Sequence, residues 1–248
     1  MNVSSEAPQS KAVSTPKSRW PKILPPLTSE QMAIRDDFMR LHLEAMQTKW
    51  YGIIEKFNHG YPLRSFSPGC RTLEIGAGIG SHLNFEKYTE QDYYALELRP
   101  ELCEAIKKKY PSVKAIAANC QERLPFEDGY FSRVLAIHVL EHLPDLPAAL
   151  REIWRVLKND GLFSVVIPAE GGLANAIARN LSGKREFTKK YHQSYDWLIK
   201  SEHINMPNEI INELNLLYNI QHRKFYPLFI PSINLNLAIG LTFTKKLT

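Results

Sequence analysis

Short apolar runs alternate with amphipathic stretches along most of this chain. Thr72-Leu73-Glu74-Ile75, Asp92 to Glu97, Val113 to Ala118, Arg133 to Ile137 and Leu162 to Ile167 each read as a buried strand. Helix signals separate them, at residues 101–109 and after Asp145, a cap followed by the stripe Leu146, Leu150, Ile153, Val156 and Leu157. Upstream, Thr28 and Gln31 form a capping box. Met32, Phe38, Leu41, Ala45, Met46, Ile53 and Phe57 then predict one or two helices between 29 and 57, as a structural flap or a lid.

Beyond Pro168 the regular alternation stops. Residues 169–206 read as a long insertion, helical in pieces, in which Lys184, Arg185, Lys189 and Lys190 outnumber Glu186, and Tyr191, His192, Tyr195, Trp197 and His203 follow. An insertion at the carboxyl end of a parallel sheet sits where α/β ligands bind. A helix over 207–217 leads to a strand near 220–226. Phe225 to Thr244 carries no charge and is long enough to span a bilayer. However, Leu235, Leu237, Ile239, Leu241 and Phe243 alternate with Asn236, Ala238, Gly240 and Thr242, and Pro227 and Pro231 interrupt what precedes them. That period of two predicts a strand and no transmembrane segment.

At 248 residues and 44% hydrophobic, the chain can bury one substantial core, with one α/β domain plus additions as the simplest organisation. The expected division is a disordered tail over 1–28, a helical extension over 29–60, and a main domain over 61–248 carrying the insertion. Of the net charge of +5, Lys11, Lys17, Arg19 and Lys22 against Glu6 place +3 in residues 1–28, leaving +2 for the rest. That is too little to argue for a nucleic-acid surface. Cys70, Cys103 and Cys120 are odd in number and form no C-x-x-C pair, which argues for a reducing compartment and against a disulfide framework or zinc site. No secretory signal is evident, so a soluble cytoplasmic protein is expected.

The candidate chemistry begins where the first strand ends, at Glu74-Ile75-Gly76-Ala77-Gly78-Ile79-Gly80, with Ser81 to Phe85 able to open a helix. Glycines let the backbone turn and let a ligand approach without meeting a Cβ. The dinucleotide fingerprint would need glycine at position 81, which is Ser81. Glu97 lies 21 residues beyond Gly76, near the ~20-residue offset at which a βαβ unit offers an acid to ribose hydroxyls.

These motifs, with Leu98-Arg99-Pro100, Leu124-Pro125-Phe126 and His138-Val139-Leu140-Glu141-His142, make the chain resemble the class I S-adenosylmethionine-dependent methyltransferases, of the type 11, small-molecule branch. The resemblance implies a doubly wound, seven-stranded, mostly parallel Rossmann-like sheet. It also implies S-adenosyl-L-methionine as cofactor, held by Glu74, Gly76, Ala77, Gly78, Gly80, Glu97 and Leu98, with His138 lining its methionine end. Where the family carries an acid or amide against adenine, this chain offers Asn119 or Cys120, next to Gln121. Ser132 stands where the family usually has Asp.

Methyl transfer is an in-line displacement in which positioning dominates, and a base is needed only where the acceptor must lose a proton. His142, His203 and Glu141 are the candidates for that task. The Glu-His pair also permits a divalent ion, but two ligands are too few to predict a metal site. The expected function is methyl transfer to O or N of a small molecule, polar or anionic to suit the basic insertion, or lipid-like to suit Leu228-Phe229-Ile230. No Asn/Asp-Pro-Pro-aromatic phrase and no Pro-Cys nucleophile follow the fourth strand, which lowers a nucleic-acid substrate. The alternatives are a methyltransferase acting on RNA or protein, a nicotinamide oxidoreductase, disfavoured by Ser81, and a non-catalytic cofactor-binding protein of the same fold.

Overall fold

A computed structural model describes residues 19–45, 52–181 and 183–247. The apolar runs become a seven-stranded sheet built of β1 (Arg71–Ile75), β2 (Asp92–Glu97), β3 (Lys114–Ala117), β4 (Phe131–Ile137), β5 (Leu157–Pro168), β6 (Tyr218–Tyr226) and β7 (Ala238–Lys245), in the order β3-β2-β1-β4-β5-β7-β6. β1 pairs in parallel with β2 and β4, Leu73 lying opposite Tyr94 and Val134. β7 inserts antiparallel between β5 and β6, with Leu241 opposite both Val165 and Arg223. This is the doubly wound, mostly parallel sheet that the resemblance implies.

Alternation along the strands decides what covers each face. Leu73, Ile75, Val134, Ala136, Phe163, Val165, Ile239 and Leu241 pack beneath α4 (Leu146–Val156) and α8 (Pro207–Leu217), which bring Leu150, Ile153, Ile210 and Leu214. Asp145 caps α4 as expected, its Oδ1 accepting from Ala148 N at 3.0 Å. On the opposite face, Tyr93 and Ala95 meet Cys103 and Ile106 of α3 (Pro100–Lys109), while Val166 and Ala238 meet Phe57 and Tyr61 at the end of α2 (Gly52–Gly60). Within β7 the bulky and small faces separate as the alternation predicts. The strand begins later, at Ala238, because residues 233–235 form a 3-10 turn.

The first crossover departs from expectation. No α-helix follows the glycine bend; two 3-10 turns, Ser81–Asn84 and Tyr88–Glu90, carry the chain to β2. The sheet beneath them is polar. Arg133 (1% exposed) pairs with Glu86 at 2.7 Å and donates to Ser65 Oγ and Pro62 O, and His82 Nε2 lies 3.1 Å from Glu86 Oε2. A helix stripe would leave these groups unpaired; short turns bring the partners that they require.

The N-terminal segment also differs. Residues 1–18 of the expected tail lie outside the described residues. Residues 19–28 are not loosely draped where they begin: Lys22 N donates to Pro144 O at 2.9 Å, and Lys22 Nζ donates to Ile204 O and Glu209 Oε2, both at 2.7 Å. Residues 169–206 are helical in pieces, as α5 (Leu173–Leu181), α6 (Gly183–Tyr191) and α7 (Asp196–Glu202). α1 (Ser29–Ala45) joins them, Phe38 packing edge-on to buried Phe187 and Tyr195.

Candidate active site

The carboxyl ends of β1 and β2 meet at the glycine bend. Ala77 N donates to Leu96 O at 2.9 Å, and Gly78 N donates to Glu97 Oε2 at 2.9 Å, so bend and acid are one unit. Glu97 Oε1 accepts from the backbone and guanidinium of Arg99 at 3.2 and 3.1 Å. The side chain of Leu98 stands exposed beside it.

The two glycines at the apex have different reasons to be glycine. Both take positive φ, +66° at Gly76 and +56° at Gly78. A Cβ on Gly76 would meet Val139 Cγ2 at 2.5 Å, whereas a Cβ on Gly78 would have no protein atom within 4 Å. Packing therefore requires the first glycine. The second opens onto free space above the Glu97 carboxylate. An acid that can accept two hydroxyls, a backbone N–H beside it and an open approach fit the ribose and methionine limbs of an adenosyl sulfonium.

Two expected contacts are relocated. Glu74 is interior: Tyr93 OH donates to its Oε2 at 2.7 Å, and burial pushes its carboxyl up to about 8, outweighing the lowering by that bond. It supports the bend from beneath. Between the adenine candidates, Cys120 is buried in the core, its thiol pushed up to about 12 by burial. Asn119 remains half-exposed, its Oδ1 accepting from Gln121 N and Nε2 at 3.1 Å. Gln121 is then fixed by accepting from Asp145 N at 2.7 Å.

The second half of the site grows from the end of β4. His138 takes φ +53°, a strained conformation for a residue with a side chain, and its backbone N–H donates to Val166 O. Its Nδ1 lies 3.2 Å from Glu141 Oε1, while its Nε2 is buried without a partner. Glu141 is fully buried. Burial opposes its charge, but the His138 hydrogen bond and the positive potential of His142 and His203 hold its carboxyl at about 2, and Oε2 has no partner. Burial lowers His142, whose Nδ1 donates to Glu202 O at 2.7 Å.

His203 comes from the insertion. Asn205 delivers it by donating to Leu140 O and Leu143 O, both at 2.8 Å, while Ile204 N and Asn205 N donate to Glu141 O. The His203 ring lies edge-on to His142 at 4.9 Å, and its Nδ1 is 2.8 Å from Glu170 Oε1. Burial works to lower His203, but Glu170 and Glu141 outweigh it and raise it. The three candidate residues for acceptor chemistry, Glu141, His142 and His203, are thus gathered from segments about 61 residues apart in sequence.

Sequence reading missed Glu170 and Asn205, since neither belongs to a motif and each acts through a partner distant along the chain. The basic residues of the insertion are partly committed elsewhere: Lys190 pairs with Asp37 at 2.6 Å and Lys184 lies 3.8 Å from Asp196. A cleft of 430 Å³ adjoins Glu170, lined also by Gly171, Met206, Pro231, Ile233 and Asn234.

Residues 73–165 match a family described as methyltransferase domain, a span that runs from β1 into β5. Over 105 residues the chain is 32% identical to a sterol 4-C-methyltransferase of Caenorhabditis elegans, covering 40% of this chain and 31% of that protein. Over 95 residues it is 30% identical to a malonyl-acyl-carrier-protein O-methyltransferase of Halorhodospira halophila, covering 37% and 32%. The chain thus spans about a third of the length of these curated relatives. In fold it is similar to 1,6-didemethyltoxoflavin-N1-methyltransferase of Burkholderia thailandensis, a structure with bound S-adenosylhomocysteine, at TM-score 0.57 and 15% identity over 90% of this chain and 93% of that one. Among the described residues no helix is long and apolar enough to cross a membrane.

Proposed function

We propose that the chain, whose residues 73–165 match a methyltransferase domain, is a class I S-adenosylmethionine-dependent methyltransferase that transfers a methyl group to an oxygen or nitrogen of a small molecule with an apolar portion. The observation that carries the reading is the union of bend and acid, Gly78 N on Glu97 Oε2 at 2.9 Å beneath open space. Bound there, S-adenosyl-L-methionine supplies a methyl group already activated by its sulfonium.

The protein's part is to hold two partners in line, which contributes about 7–11 kcal/mol in well-oriented systems. Glu97, the bend at 76–80 and Leu98 grip the adenosyl limb, with Asn119 and Gln121 at the adenine edge. His138, strained at the end of β4, faces the methionine end. Glu141 Oε2 and the Nε2 of His142 are the lone pairs offered to an acceptor's proton, since His142 Nδ1 donates to Glu202 O. The apolar preference is supported by exposed Leu173 and Ile177 on α5 and by Leu228, Phe229 and Ile230, on the segments that flank the 430 Å³ cleft. The sterol relative agrees with it.

Calorimetry with S-adenosylhomocysteine tests the first half, with one site per chain expected. Transfer of label from methyl-labelled cofactor to matched pairs of polar and apolar acceptors tests the second. No heat with S-adenosylhomocysteine refutes the site; transfer to RNA or protein alone refutes the acceptor class.

A further inference from the structure

Among the described residues one cluster has the composition of a metal centre. One ligand atom from each of Glu141, His142 and His203 lies within 4.8 Å of the others. The groups behind them are placed as supports for such ligands. His142 Nδ1 donates to the Glu202 carbonyl at 2.7 Å, and His203 Nδ1 lies 2.8 Å from a Glu170 carboxylate oxygen, so Nε2 is in each ring the nitrogen left for a further ligand. Glu141 Oε1 is engaged by His138 Nδ1, and its buried Oε2 has no partner. A buried carboxylate oxygen without a donor is costly, and imidazoles anchored through Nδ1 to an oxygen acceptor are the usual preparation for metal ligation through Nε2.

We propose that Glu141, His142 and His203 form a binding site for one divalent transition-metal ion, with Glu170 and the Glu202 carbonyl orienting the two imidazoles. Two imidazoles and one carboxylate select zinc, iron, cobalt or manganese over calcium or magnesium, which prefer all-oxygen sites. Ligands at about 2.0–2.2 Å from an ion stand about 3–3.5 Å apart, so a pair at the 4.8 Å limit closes by about 1.3–1.8 Å through side-chain rotation. The ion site stands on these side chains alone. Its use in acceptor binding rests on the methyl-transfer reading, where the ion replaces the free lone pairs as the group that draws the acceptor.

The full chain, stripped with chelator, is titrated with Co²⁺ and Zn²⁺. One ion per chain is expected, with visible absorption from bound Co²⁺ and paramagnetically shifted N–H proton resonances from two histidines. Those resonances need no variant, so a substitution that fails to fold leaves the test intact. His203→Ala and Glu141→Gln are expected to abolish stoichiometric binding, and Glu170→Gln to weaken it about 10–100-fold; His192→Ala is expected to bind as the parent. Absence of shifted histidine resonances in the parent, or unchanged affinity in folded His203→Ala, overturns the site. S-adenosylhomocysteine binding in chelator is measured separately, so failure of the metal site and failure of the cofactor site are distinct results.

Discussion

Gly76 and Gly78 make the most discriminating pair of substitutions, because both have positive φ and differ in what surrounds them. Alanine at either position carries the left-handed penalty of about 1–2 kcal/mol. At Gly78 that is the whole expected cost to folding, since the new Cβ has no protein atom within 4 Å. For a domain of this size each kcal/mol lowers Tm by about 2–4 °C, so a fall of about 2–8 °C is expected. At Gly76 the Cβ would lie 2.5 Å from Val139 Cγ2 and 3.1 Å from Val139 Cγ1, in the residue after strained His138. Relief requires moving the β4 turn, and overpacking adds about 1–3 kcal/mol. Gly76→Ala is therefore the less stable variant. The order reverses for binding relative to stability: Gly78→Ala stays folded but places a methyl in the space assigned to ligand. Its S-adenosylhomocysteine affinity should fall at least about 10-fold, equivalent to about 1.4 kcal/mol. Differential scanning calorimetry and titration calorimetry on both variants provide the two readouts. Parental affinity in folded Gly78→Ala refutes the assignment of that space.

Four other outcomes are expected. Glu97→Gln, which removes charge and half of the acceptor capacity, should weaken S-adenosylhomocysteine about 10–100-fold by titration calorimetry, as loss of charged hydrogen bonds predicts. Arg133→Ala leaves Glu86 buried without its ion-pair partner and should cost about 3–5 kcal/mol in urea unfolding. Glu74 is raised in the fold from 4.5 to about 8, so its contribution is complete below pH 4.5 and is lost as pH rises to about 8. Glu74→Gln should remove that decline of a few kcal/mol, measured by urea unfolding across the interval. Asn205→Ala frees the carbonyls of Leu140 and Leu143 and should lower Tm and loosen His203, seen as faster amide exchange at 203–205.

What the sequence made legible was local. The alternation in residues 238–243, the Asp145 cap, the glycine bend and Glu97 each announce themselves within one element and its neighbours, and each is where the pattern places it. What escaped is pairing across the chain. Arg133 reads as the first residue of an apolar strand, and nothing nearby reveals that Glu86 and Ser65 await it, 47 and 68 residues earlier. For that reason the crossover after Gly80 was expected as a helix. Glu74, an acid beside a glycine bend, reads as a ligand-facing group; only the position of Tyr93 on the neighbouring strand turns it into an interior one. Lys22 looks like part of a basic, unstructured tail until Glu209 and Ile204 O are brought against it.

The same long-range pairing gives the site its organisation. The bend and Glu97 are assembled by adjacent parallel strands, so their geometry follows once β1 and β2 pair. The proposed acceptor half has no such guarantee, because His203 arrives on an insertion whose α6 and α7 cluster with α1 through Phe187, Tyr191, Leu198 and Phe38. Its position depends on Asn205 and on the backbone bonds from Ile204 and Asn205 to Glu141 O. Those bonds also tie Glu141, and Glu141 is tied to His138, whose neighbour Val139 packs on Gly76. A displacement of the insertion is therefore transmitted to the cofactor bend through few contacts. On this physical chain, occupancy of the proposed Glu141–His142–His203 site is expected to alter affinity at the bend, and by linkage each should change the other's affinity by the same factor. Titration of S-adenosylhomocysteine with and without saturating Zn²⁺ checks it, and a factor of one refutes the coupling.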